Sequence, residues 1–213
     1  MIFSKTLSGE IHVFDCLNHP KGKKPQNDQA NPQLRLLGHS KEGYGLSLNP
    51  KKEGHCISGG YDNKICYWDI SKNKENGCVN TLLETEWNKA NVEDVCWNPF
   101  SQDLFASVGD DRLICIWDTR QGLKQPIQYT QAHTGDIYSL DFNPFNEYLF
   151  ISGSEDKNIG LWDLRNTTKR LHTFEGHTDS VMKVQWSPYN VAVFGSSSMD
   201  RRVHVWDLSK CGM

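Results

Sequence analysis

The dipeptide Trp-Asp occurs four times at nearly constant intervals, as Trp68-Asp69, Trp117-Asp118, Trp162-Asp163 and Trp206-Asp207. The spacings are 49, 45 and 44 residues. A repeat of that length restricts the chain to an array of one supersecondary unit, because each unit buries its apolar face only against a neighbour. Other positions keep step. Six residues before each Trp stands Asp62, Asp111, Asp156 or Asp200, and ten before stands Ser58, Ser107, Ser152 or Ser196. Nineteen before comes Asn49, Asn98, Asn143 or Ser187, each followed by Pro. Twenty-nine before comes His39, Asn88, His133 or His177. A 29-residue unit is kept without insertion while the connectors vary, as for packed strands joined by surface loops.

Within a unit, short alternating runs are separated by turn residues. Tyr44–Leu48 stops at Asn49-Pro50, His55–Gly59 is followed by a turn at 61–64, and Ile65–Asp69 closes the unit. The same pattern fits 137–142, 148–153 and 159–163, and outer strands fit 81–84 and 170–174. The expected fold is all-β: a β-propeller with about four and a half four-stranded blades of a full ring. Residues 34–80, 81–128, 129–168 and 169–213 make four units, the last cut short. Residues 1–33 hold a remnant, with Phe14 in the Trp place of the strand Ile11–Asp15 and a polar loop after it.

The recurring polar residues suit a hydrogen-bond chain inside each blade. Asp accepts from His and from turn amides, His reaches Ser, and Ser reaches the indole N–H of Trp68, Trp117, Trp162 or Trp206. Ser152, His133 and Asp156 could be taken for a catalytic triad, but the trio recurs in three units and a nucleophile is needed once. No catalytic residue, metal ligand set or cofactor motif is expected. The second unit carries Asn88 for His, after Trp87, and predicts a weaker network and a looser lead-in loop there.

Composition narrows the partners. With 26 acidic and 23 basic side chains the net charge is −3, which does not suit direct binding of nucleic acid through its phosphates. No apolar run reaches the ~20 residues that span a bilayer, so no membrane association is expected. Seven cysteines without a C-x-x-C pair read as reduced, mostly buried small hydrophobes of a cytosolic or nuclear protein. Lys21-Gly22-Lys23-Lys24 reads as a solvated basic loop.

Longer stretches are more specific. Leu34–Ser47, Val92–Val95, Gly160–Asn166, Val184–Pro188, Asp200–Arg202 and Val205–Lys210 together resemble the retinoblastoma-binding, histone-binding WD-repeat family, which includes the small subunit of chromatin assembly factor. The resemblance spans essentially the whole chain. It implies a seven-bladed propeller that serves chromatin assembly, deacetylase, remodelling and Polycomb complexes in the nucleus. It also implies binding of basic histone H3-like tails on the top face. The family's histone H4 site rests on an N-terminal helix and an acidic loop that this sequence does not contain, so that activity is not carried over.

The family's top-face contacts fall 26 and 24 residues before each Trp. Here they are Glu42 and Tyr44, Asn91 and Glu93, Asp136 and Tyr138, and Ser180 and Met182. Carboxylates and aromatic faces suit a Lys/Arg-rich tail, and Ser180 and Met182, which replace an acid and an aromatic, predict weaker contact at the fourth unit. A second resemblance lies at Arg120 and Arg165, which complete W-D-x-R patterns that family knowledge links to the adaptor of cullin ubiquitin ligases.

Overall fold

The computed structural model describes residues 1–17, 31–72 and 74–210. The basic cluster at 21–24 and Cys211 lie outside these residues. Among the described residues twenty strands succeed one another: β1 (Ile2–Lys5), β2 (Ile11–Phe14), β3 (Leu34–Leu37), β4 (Leu46–Leu48), β5 (His55–Gly59), β6 (Ile65–Asp69), β7 (Lys74–Glu75), β8 (Cys78–Asn80), β9 (Leu83–Glu84), β10 (Val92–Trp97), β11 (Leu104–Gly109), β12 (Leu113–Asp118), β13 (Gln128–Gln131), β14 (Ile137–Phe142), β15 (Leu149–Ser154), β16 (Ile159–Asp163), β17 (His172–Phe174), β18 (Val181–Trp186), β19 (Val193–Ser198) and β20 (Val203–Asp207).

They form five sheets in chain order: β1-β2-β3-β8-β7, β4-β5-β6-β9, β10-β11-β12-β13, β14-β15-β16-β17 and β18-β19-β20. Each later sheet is antiparallel, and short connections join its first three strands; the connection from β6 to β9 is longer and carries β7 and β8. Successive sheets pack face to face into an open arc of blades. The expected propeller architecture is present, with Phe14 on the last strand of the first hairpin. The repeat in sequence is offset from the sheet in space. β3, β9, β13 and β17 each open a stretch that continues into the next unit, yet each pairs with a strand of the preceding unit, β2, β6, β12 and β16.

The first sheet has an addition. Asn76 (φ 50°) and Gly77 (φ 77°) turn the chain between β7 and β8, and β8 pairs parallel with β3, Arg35 opposite Cys78. Asn-Gly favours such a turn because both residues tolerate positive φ.

The core lies between blades. Ile57, Ile65 and Tyr67 of one blade pack with Val92, Val95, Trp97 and Phe105 of the next. Ile114 and Ile116 meet Ile137, Leu140, Phe142 and Phe150; Ile159 and Leu161 meet Val181, Val184, Trp186 and Phe194. Each such side chain contributes about 1.5–3 kcal/mol on burial. In the last blade the corresponding Val203 and Val205 are 74% and 76% exposed. Among the described cysteines Cys56, Cys66 and Cys115 are buried as expected, whereas Cys16 is exposed, because it comes after β2 in a turn rather than continuing the strand.

Asn-Pro, legible in sequence as a turn signal, has a second role. The side-chain oxygens of Asn49, Asn98 and Asn143 accept from the amides of their own turns. Their amide groups donate across to the next blade, to the carbonyls of Gln102, Glu147 and Val191 at 2.8, 3.0 and 2.9 Å. Ser187 caps its own turn and has no amide to extend.

Candidate functional site

The polar chain inside the blades is built as its residue types require. His133 Nδ1 lies 2.9 Å from Asp156 and its Nε2 lies 2.7 Å from Ser152 Oγ, which accepts from Trp162 Nε1 at 2.9 Å. His177, Asp200, Ser196 and Trp206 repeat this at 2.9, 2.7 and 2.8 Å. Burial opposes ionisation of Asp156, but His133 and the amides of Thr134 and Asn158 hold its carboxyl down at about 2. The first complete blade differs at one link. His39 reaches Asp62 and Ser58, but Trp68 Nε1 donates to the carbonyl of Leu37 instead of the serine.

The second complete blade lacks the middle of the chain. Trp117 Nε1 still donates to Ser107 Oγ at 2.8 Å, but the buried Asn88 amide has no partner among the described residues. Asp111, without an imidazole beside it, is raised by burial instead of lowered. The weaker network expected from Asn88 is therefore present. Trp87 occupies the neighbouring space, with ring centroids 6.1 Å from Trp117 and 5.5 Å from Tyr129. All these groups sit in the blade interior, shared out among repeats, as structural glue.

A different set converges at the end of the sheets that carries the β5–β6 turn. The inner strands β10, β14 and β18 have a bulge at the same place. The register skips one residue between Val92 and Asp94, between Ile137 and Ser139, and between Val181 and Lys183. The skipped residues are Glu93, Tyr138 and Met182. A bulge leaves its extra residue out of the ladder and re-aims the side chain, here into a common depression. Tyr44 stands at the equivalent place just before β4. Together with Tyr61, Asp94 and Lys183 these residues line a cavity of about 260 Å³.

Four of the eight top-face residues named from the sequence thus meet: Tyr44, Glu93, Tyr138 and Met182. The other four are not among its lining residues and have other partners. Glu42 accepts the Tyr61 amide on its carbonyl, Asn91 donates to Asp110, Asp136 pairs with Arg112 at 3.6 Å, and the Ser180 carbonyl accepts from Met199. Tyr61, Asp94 and Lys183 are additions that the sequence did not single out as site residues. The Tyr61 hydroxyl donates to Glu93 Oε2 at 3.1 Å, and its ring meets Tyr44 edge to face at 5.7 Å. Burial, and then the charges of Asp110 and Asp136, push the Glu93 carboxyl up to about 7.

Beneath the depression, polar side chains join the inner strands. Asp94 Oδ2 accepts from Ser139 Oγ, from the Leu140 amide and from Lys183 Nζ, at 3.1, 3.2 and 2.8 Å. The Ser139 hydroxyl in turn accepts from the Val184 amide, and Asp141 from the Trp186 amide. Inner-edge amides that no strand covers are satisfied in this way by the preceding blade.

Arg120 and Arg165, both exposed, fold back onto the Asp of their own Trp-Asp pairs, Asp118 and Asp163, at 2.6 Å. Arg165 also lies 4.4 Å above the Tyr148 ring. They sit at the opposite ends of the strands from the depression. A larger cavity of about 570 Å³ near that end, lined by Phe3, Leu48, His55 and Ile70, includes only Asn49 of the residues the repeat singles out.

Comparison with known protein families matches the family described as WD domain, G-beta repeat over residues 76–118, 124–163 and 168–207, more than half of the chain.

Proposed function

The chain belongs to the WD-repeat family, whose domains are scaffolds for protein interaction, and from that premise we propose that its top-face depression binds the basic tail of a histone H3-like partner within chromatin complexes of the nucleus. The observation that carries this reading is the convergence of Tyr44, Glu93, Tyr138 and Met182 in one depression, beside Tyr61. Around it stand Asp110 and Asp136. Carboxylates supply charge-assisted hydrogen bonds to Lys and Arg, and tyrosine faces supply cation–π contacts of ~0.5–2 kcal/mol each.

The test is a titration of the full chain with an H3 N-terminal peptide at two salt concentrations. Affinity is expected to fall with salt, since the attraction is between partly exposed charges, and Glu93→Lys is expected to abolish binding. An unchanged titration with Glu93→Lys would remove the top-face assignment.

A second reading, engagement of a cullin ligase adaptor, is favoured by the matched geometry of Arg120 and Arg165, each clamped to its Trp-Asp carboxylate with most of its side chain in solvent. Pull-down of the adaptor by the intact chain and its loss on Arg165→Ala would support that reading.

A further inference from the structure

The end of the sheets opposite the depression carries a feature that the proposed function does not use. The turn after each inner strand holds one repeat position directly behind its Asn-Pro or Ser-Pro pair: Lys51, Phe100, Phe145 and Tyr189. In every case the amide of that residue donates to the side-chain oxygen two residues before it, on Asn49, Asn98, Asn143 or Ser187, so the four turns share one geometry. The three rings are 45%, 49% and 92% exposed. The turns are also tied in series. The side-chain amides of Asn49, Asn98 and Asn143 donate to the carbonyl two residues after the ring of the next turn, at Gln102, Glu147 and Val191. Three solvent-facing aromatics thus stand in a row along one continuous belt, which begins at Lys51 and Lys52.

Packed sheets lie about 10 Å apart, so the rings recur at about that interval. A polyproline II helix has three residues per turn and rises about 3.1 Å per residue, so every third residue returns to one face after roughly 9 Å. The two periods nearly coincide. A segment with proline at every third position sets one pyrrolidine on each ring. Polar turn residues fill the ground between the rings, and this suits such a backbone, which makes no internal hydrogen bonds and keeps its carbonyls free. Donors for those carbonyls stand beside the last two rings. Asn146 and Asn190 spend their side-chain oxygens on the Tyr148 and Ala192 amides, and among the described residues their NH2 groups donate to no protein acceptor. An α-helix also regains one face at about this interval, after two turns, but the rest of its apolar stripe would rest on those polar turns. At the start of the belt Lys51 takes the place of a ring, with Lys52 and Glu53 after it, so this end carries net positive charge. We propose that the belt docks a proline-rich partner segment in the polyproline II conformation, its prolines three residues apart and an acidic residue one further period along, opposite Lys51.

The experiment is a titration of the full chain with synthetic peptides that carry prolines at i, i+3 and i+6 and an aspartate three residues beyond one end or the other. The control peptide has the same composition with its prolines regrouped at i, i+1 and i+2. One of the spaced peptides is expected to bind about tenfold more tightly than the control. Phe145→Ala, at the middle ring, should weaken that binding by about tenfold. If Phe145→Ala also lowers the unfolding midpoint, Tyr189→Ala repeats the test at a ring that is 92% exposed and bears on the fold least. Lys51→Glu should weaken the aspartate-bearing peptide and leave an asparagine-bearing one unchanged. Glu93→Lys should leave all of these affinities as they are, which separates the belt from the top-face reading. Equal binding of the spaced and regrouped peptides, binding that survives both Phe145→Ala and Tyr189→Ala, or loss of binding in Glu93→Lys would overturn the proposal. So would tighter binding of a helical peptide with apolar residues at i, i+7 and i+14.

Discussion

Asp94 on β10 and Lys183 on β18 form an ion pair at 2.8 Å that passes over the inner strand of the blade between them. The carboxylate is buried and also holds the Ser139 hydroxyl and the Leu140 amide, whereas Lys183 keeps more than half of its side chain in solvent. The two ends of the pair are therefore unequal. Lys183→Met should cost only about 0.5–1 kcal/mol, the scale of an exposed pair. Asp94→Ala should cost about 2 kcal/mol or more, because it strands buried donors on the neighbouring blade. Urea unfolding of the two variants checks the order, and a larger loss for Lys183→Met would contradict it.

The second complete blade invites repair. Asn88 leaves a buried amide unpartnered and Asp111 without its imidazole. Asn88→His should raise stability by about 1 kcal/mol by closing the chain to Ser107 and Asp111. Thermal unfolding measures it. A loss instead would mean that Trp87, packed on Trp117, denies the ring its place.

Acid should weaken the blades in two stages. Burial, only partly offset by Asp156, lowers His133 below its ordinary value, so the folded state prefers the neutral ring. That contribution is whole above about pH 6.5 and is lost as pH falls below it. Asp62 and Asp156 are held at about 2, so their contribution is whole above about pH 4 and is lost on the way down to 2. The urea midpoint should be flat between pH 7 and 8, decline below 6.5 and fall faster below 4. His133→Gln should flatten the first decline, and an unaltered profile would disprove this account.

Binding at the depression should respond to pH in the opposite range. Glu93 sits at about 7 beside Asp110 and Asp136, with Tyr61 bonded to it, Arg112 paired to Asp136, and the Lys183–Asp94 pair below. A cationic ligand favours the ionised acid, so affinity for a basic peptide should rise from pH 6 to pH 8. Glu93→Gln should weaken binding and remove the rise. A slope that persists in that variant would assign the titration to another group.

A backbone feature gives a stabilising substitution. Asn63, Arg112, Lys157 and Arg201 occupy the same turn position with φ of 64°, 64°, 71° and 66°. Asparagine tolerates this left-handed region better than lysine. Lys157→Asn should gain up to about 1 kcal/mol, read as a higher urea midpoint; a lower one would show that the turn depends on lysine.

Much of the fold is legible in the residues. The strands obey alternation and turn chemistry, and the His–Ser–Asp–Trp chain arises from four side chains at fixed offsets with complementary donors and acceptors. Asn88 predicts its own defect. Asn76-Gly77 carries a hairpin signal that stands outside the repeat, but its parallel docking on β3 joins segments about 40 residues apart, which no local pattern encodes. Trp68's choice of the Leu37 carbonyl over Ser58 is likewise a matter of where a neighbouring backbone lies.

What the sequence alone determined is the unit: its period, its strands, its internal hydrogen bonds and the apolar faces it must bury, because all of these depend on contacts within about 30 residues and on side-chain chemistry. Only the tertiary structure decided what the units make together. The bulges that push Glu93, Tyr138 and Met182 out of their ladders, the tyrosine at position 61 that joins them, and the Asp94–Lys183 pair across a whole blade all arise from packing one sheet on the next. A period places residues at equivalent positions; whether those positions meet depends on how the arc curves, and that is set by the faces in contact.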